Sequence, residues 1–186
     1  HHKKLYSQTP LLQAKEIEKV YPSRFRLFQK SAGFQAVAPL NFSLYPQETL
    51  GLVGESGCGK STLARALIYL DPPSKGVVYF KGKPIVQDDK KLMRNIRQKI
   101  QFVFQDPYAS LHPLKTIGIA IQEIVALRDR GKAILLISVE LDEILSLSDK
   151  IAVMFDGKIM GVRVPSETNE KEFGLLMAGV AEQVEQ

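Results

Sequence analysis

Apolar and polar positions divide the chain into short segments whose periodicity switches between two and about three and a half. Residues 11–21 and 34–45 read as strands, the second with Phe34, Ala36, Ala38 and Leu40, then Phe42 and Leu44, in partial alternation. Between them Pro22 to Gly33 carries Arg24, Arg26 and Lys30 and reads as an exposed loop. A short apolar strand at Thr49–Val53 runs into a glycine-rich turn and a helix from Lys60 to about Leu70. The breaker cluster Asp71-Pro-Pro-Ser-Lys-Gly76 ends that helix. A strand at Val77–Lys81, a charged helix near Asp88–Arg97 and an apolar strand at Ile100–Phe104 follow. Ile117, Ile121, Ile124 and Leu127 stand at helical spacing, which predicts an amphipathic helix over Leu114–Arg130 that stops at Gly131. Ala133–Val139 is almost wholly apolar, as a buried parallel strand is. A helix (Glu140–Leu147), two strands (Ile151–Phe155 and Lys158–Val164) joined at Asp156-Gly157, and a helix (Asn169–Gly179) complete the pattern. Strand and helix alternate between two terminal hairpins, which predicts an α/β domain with a mainly parallel sheet, helices on both faces and an N-terminal antiparallel hairpin.

Composition narrows the classes. With 186 residues, 45% hydrophobic and 24% charged, the chain has the make-up of a globular domain, and its apolar runs are too short to cross a bilayer. The lone cysteine, Cys58, excludes an internal disulfide and fits a reducing compartment. That cysteine and His112, the one histidine outside the opening His1–His2 pair, do not make a zinc site of the usual ligands. The opening pair reads as a remnant of a purification tag, residues 1–10 as disordered, 11–180 as one domain and 181–186 as a tail. A net charge of +5 permits contact with phosphates without demonstrating it. The basic run Lys90, Lys91, Arg94, Arg97 and Lys99 lacks interleaved aromatics, so it reads as a solvated helix face and not as a nucleic-acid surface.

The chemistry lies in Gly54-Glu55-Ser56-Gly57-Cys58-Gly59-Lys60-Ser61-Thr62, which satisfies G-x-x-x-x-G-K-[ST] between a predicted strand and a predicted helix. Glycines let the backbone curl so that successive N–H groups point inward at phosphate oxygens, and the helix N-terminus adds its positive end. Lys60 is placed to reach the β- and γ-phosphates and Ser61 to put its hydroxyl on Mg²⁺. Cys58, at a variable position of the loop, reads as a small side chain and not as a nucleophile. No Asn-Lys-x-Asp guanine-reading motif accompanies the loop.

The stretch Leu50–Leu63 resembles the Walker A region of ABC transporter ATPases, and Phe102-Val-Phe-Gln-Asp-Pro-Tyr-Ala-Ser-Leu-His-Pro113 resembles the Q-loop of the oligopeptide/dipeptide importer subfamily. With Lys15–Tyr21 and Ala36–Thr49, this resemblance covers residues 11 to about 122. It implies a P-loop NTPase-like fold, binding of ATP with Mg²⁺, and Gln105 as the glutamine that meets the metal and the attacking water. It also implies Tyr21 as the aromatic stacked on adenine, beside the plainer reading of an aromatic packed at a strand end. The family's partners are a membrane permease and a second ATPase subunit, and its place is the cytoplasmic face of the inner membrane.

Residues 126–180 are similar instead to the sugar/nucleoside importer ATPases, with Val139 where the switch histidine stands in that family. Only about thirty residues separate Gln105 from Val139, and the helical subdomain, the LSGGQ signature and the Walker B strand are not found between them. This reads as a chimera or an internal deletion joined near 121–126, or as a sequence lacking a segment. Glu140 and Asp142 could replace the lost carboxylates, but they read better as first-turn residues that favour a helix dipole. The sum is an ATP-binding domain derived from a peptide-type importer, with parts of the hydrolytic machinery absent. The alternatives are a functional ATP-hydrolysing subunit of an oligopeptide/dipeptide transporter and a folded scaffold with an empty phosphate loop. Closure of the sheet without the Walker B strand predicts Ile100–Phe104 beside Ala133–Val139, and the latter beside Thr49–Val53.

Overall fold

A computed structural model describes residues 9–22, 33–99, 125–137 and 141–180. Among the described residues two four-stranded sheets face each other. The first is antiparallel, in the order β2 (Phe34–Leu44), β1 (Leu12–Tyr21), β4 (Lys75–Phe80), β5 (Lys83–Pro84). The second runs β6 (Ile134–Ile137), β3 (Thr49–Val53), β7 (Lys150–Phe155), β8 (Lys158–Arg163); its first three strands are parallel and β8 is antiparallel. The expected hairpin is thus half of a larger sheet, because β4 returns to pair with β1, Leu12 opposite Phe80 and Lys15 opposite Val77.

The period of two sorts side chains between two cores. Leu50 and Leu52 of β3 and Ala152 and Met154 of β7 join the core against the antiparallel sheet, with Ile17, Val37, Leu40 and Val78. Helix α1 (Lys60–Leu67) contributes Leu63 and Leu67 to that same core. Val53, Ile151 and Val153 face the other way, onto Ile144 of α3 (Leu141–Leu147) and Phe173 and Leu176 of α4 (Glu170–Met177). Helices therefore lie on both faces of the mainly parallel sheet. Helix α2 (Lys90–Lys99) starts where the Asp89 carboxylate accepts the Leu92 amide at 2.8 Å, and α4 where the Asn169 side chain accepts the Glu172 amide at 3.0 Å.

The expected neighbour relation of Thr49–Val53 is present: Thr49 pairs with Ile134 and Leu52 with Ile137 in parallel register. Ile100–Phe104, Gln105, the start of Leu114–Arg130, the joint near 121–126, Val139 and Glu140 lie outside the described residues, as do most of Pro22–Gly33 and the termini 1–8 and 181–186. Asp156 and Gly157 both have positive φ, 43° and 75°, and close the β7–β8 hairpin as the Asp-Gly pair predicts. Among the described residues no helix is long and apolar enough to cross a membrane.

Candidate functional site

Strand β3 is buried at all five positions and held on both sides by parallel neighbours, and the phosphate-loop sequence leaves from its carboxyl end. Ligands of open α/β sheets bind at that end. The backbone then turns through positive φ at Gly54 (153°), Gly57 (82°) and Gly59 (105°), conformations that side-chain-bearing residues avoid. Space adds to the demand: a Cβ on Gly54 would collide with the Met154 carbonyl, and one on Gly59 with the Ala36 carbonyl. Above Gly57 there is room, since a Cβ there meets nothing within 4 Å. Gly59 is the N-cap of α1 and offers no side chain to its first amides, and a helix start of this kind suits an external anion.

Lys60 is 3% exposed. Its Nζ donates to the Gly54 carbonyl at 2.7 Å and the Glu55 carbonyl at 2.8 Å, and lies 3.7 Å from Cys58 Sγ. A buried ammonium needs such acceptors, so the lysine is folded over its own loop with its charge at the mouth of α1. Glu55, Ser56 and Gly57 are exposed, and Ser61 and Thr62 are half-buried. The loop is braced from behind: the Gly157 amide donates to the Cys58 carbonyl at 2.9 Å.

Tyr21 ends β1 beside this loop. Its hydroxyl donates to Asp71 Oδ2 at 2.5 Å, and the Thr62 hydroxyl bonds to its oxygen. The Asp71 carboxylate raises the pKa of the phenol above its ordinary value, with burial adding to the effect. Lys19 Nζ bonds to the other oxygen of Asp71 and to the Pro72 carbonyl at 2.7 Å, and sits 5.1 Å from the centre of the Tyr21 ring. Lys19 first, then Tyr21, hold the Asp71 carboxyl below its ordinary pKa.

The structure thus brings Gly54 through Thr62 and Tyr21 together, while Gln105 lies outside the described residues. Lys19, Asp71 and Gly157 join them without having been read as site residues. The Asp-Gly turn signal marks Gly157 as a hairpin residue but not as a brace. Among the described residues no cluster of three His, Cys, Asp or Glu side chains is placed to hold a metal ion. The donors that are present, amides at a helix start and a lysine, are those that hold a phosphate chain.

Residues 37–157 match the family model described as "ABC transporter". The chain is 46% identical over 119 residues to the oligopeptide transport ATP-binding protein AppF of Bacillus subtilis, a match covering 63% of this chain and 36% of that protein. It is 39% identical over 145 residues to the dipeptide transport ATP-binding protein DppF of Haemophilus influenzae, covering 78% of this chain and 43% of that one. The chain therefore spans less than half the length of these relatives. Among solved structures, cbiO1 from Clostridium perfringens superposes with a TM-score of 0.68 at 16% identity, over 95% of this chain and 96% of that one. The dimeric cassette MJ0796 bound to ADP and Pi gives 0.64 at 16% identity, over 83% and 98%. At that identity the likeness is one of fold.

Proposed function

We propose, for a chain that belongs to the ATP-binding proteins of ABC transporters, that residues 11–180 form one nucleotide-binding unit that takes ATP with Mg²⁺ at Gly54–Thr62. The observation that carries this reading is Lys60, buried with its ammonium against the Gly54 and Glu55 carbonyls of a loop turned by glycines of positive φ. The loop amides and the start of α1 cradle the phosphates, Lys60 neutralises them, and Tyr21 stacks on the adenine. Ser61 and Gln105 are the residues that would hold Mg²⁺, which when bound neutralises charge between the phosphates.

Relatives named for oligopeptide and dipeptide transport support a peptide-type importer as the ancestry, at the cytoplasmic face of a membrane. In such a setting the partners are a permease and a second ATP-binding subunit. The sequence offers no signature motif, Walker B carboxylate or switch histidine, and only about thirty residues between Gln105 and Val139, where the family places the helical subdomain that a permease grips. Binding without turnover, and without productive docking, follows. Calorimetric titration with Mg-ATP beside a phosphate-release assay tests this. Saturable binding that Lys60→Ala abolishes, with no release of phosphate, is expected. Turnover lost in Lys60→Ala would establish the active ATPase instead, and no binding at all would leave a scaffold.

A further inference from the structure

Strand β1 is irregular where it approaches the loop. Its register against β2 slips between Ala14 and Ile17, between Ile17 and Lys19, and between Lys19 and Val20. The alternation of faces fails there, and Ile17, Glu18 and Lys19 are buried in succession, Lys19 to 8% exposure. A lysine is seldom so buried without acceptors, and this one has the Asp71 carboxylate and the Pro72 carbonyl. Asp71 in turn takes the Tyr21 hydroxyl.

We infer that Lys19 and Asp71 are positioning residues for the nucleotide base: they tie the Tyr21 ring by its hydroxyl, so that it meets a base with its face alone. The inference rests on the reading of Tyr21 as the base platform. A tyrosine side chain has two main torsions, and a fixed hydroxyl plus a cation against the ring leaves both little freedom. The preorganised ring spares the ordering cost on binding. Thr62, bonded to the same phenol oxygen, belongs to the phosphate loop, so platform and cradle are one connected unit. With its proton committed to Asp71, the phenol does not read the edge of a base. Stacking follows the area of the base and tolerates its pattern of donors and acceptors. At this residue the site therefore favours purines over pyrimidines and treats ATP and GTP alike.

The test is calorimetric titration of the full chain with Mg-ATP, Mg-GTP, Mg-CTP and inorganic triphosphate. The parent should bind ATP and GTP alike at Tyr21, and CTP more weakly. Asp71→Asn should weaken both purine nucleotides roughly three- to ten-fold and leave triphosphate unchanged. Tyr21→Phe should do the same, and adding Asp71→Asn to it should change nothing further, since the bond is already gone. In an ultraviolet titration of the tyrosines, Asp71→Asn should move one group to lower pH, a change that mere loss of stability does not produce. Should Asp71→Asn not fold, Tyr21→Phe carries the same comparison. Equal loss of ATP and triphosphate in Asp71→Asn, unchanged ATP binding, or additive effects would overturn the positioning role. Tyr21→Ala tells the two readings apart. If it leaves ATP binding intact, the base platform itself falls; if it weakens ATP about ten-fold while Asp71→Asn and Tyr21→Phe do not, only the positioning role falls.

Discussion

The Gly157 amide donates to the Cys58 carbonyl at 2.9 Å, while the Gly157 carbonyl accepts the Ala38 amide at 2.8 Å. One hairpin residue thereby joins the phosphate loop to the antiparallel sheet. Its φ of 75° and a carbonyl of Ala36 only 3.0 Å from where a Cβ would stand make the position hostile to any side chain. Gly157→Val should destabilise the fold by about 2 kcal/mol. It should also weaken Mg-ATP binding, because the backbone behind Cys58 shifts. Urea unfolding and calorimetry on the same preparation measure the two effects.

Lys60 is expected to matter more for binding than for folding. On the proposed reading Lys60→Ala removes the charge that would meet phosphate, and affinity for Mg-ATP should fall by about a hundred-fold. Stability should change less, because Glu55 is exposed and its carbonyl can turn to water, which leaves only the buried Gly54 carbonyl without its donor. Loss of cooperative unfolding in this variant would show that the lysine holds the loop together instead.

At the opposite end of β3 and β7, the buried Glu48 pairs with the half-buried Lys150 at 3.2 Å, and Glu48 Oε2 also accepts the Tyr45 amide at 2.8 Å. They border a cavity of about 270 Å³ between the sheets, lined by Leu50, Leu52, Leu63 and Ile159 among others. Burial pushes the Lys150 ammonium below its ordinary pKa, so the pair is held at a desolvation cost. Lys150→Met should destabilise by about 3 kcal/mol, since it takes the neighbouring cation from a buried carboxylate, and Glu48→Gln added to it should recover most of that. Denaturant midpoints of the two variants decide.

Acid should loosen the molecule at β1. Lys19 and Tyr21 lower the pKa of Asp71, and Lys75 and Gln35 lower that of Glu18. Folded values below the unfolded ones mean stability that is present above the ordinary carboxylate range and is lost as pH falls through the folded values. Unfolding free energy should therefore decline from about pH 4 downward. Asp71→Asn should flatten part of that decline, which urea titrations at a series of pH values will show.

Leu50 and Leu52 on either side of Gly51, followed by the glycine-rich loop, make β3, the turn and α1 legible in the sequence, because close packing and backbone curl restrict the residue types there. Asp156-Gly157 marked its hairpin for the same reason. The sequence could not announce Lys19. Period-two reading places Lys19 with Ile17, but register slips in the pairing with β2, which no local pattern marks, accompany the burial of Glu18 as well. Asp71 read only as the opening of a breaker cluster, since its role depends on where β1 ends. The return of β4 to β1 was equally illegible: pairing across such a separation leaves no local signature in Lys75–Phe80.

Strand β3, clasped between β6 and β7, sets a hierarchy of opening. The amides of Leu50 to Val53 lie in the interior of the sheet, so they can meet solvent only when the whole domain comes apart. Hydrogen exchange there should report the global unfolding free energy, while Ser56 and Gly57, exposed at the crest of the loop, trade their protons through small local excursions. The phosphate loop is thus a pliant crest rooted in the least yielding part of the molecule, free to mould itself around an anion without loosening what carries it.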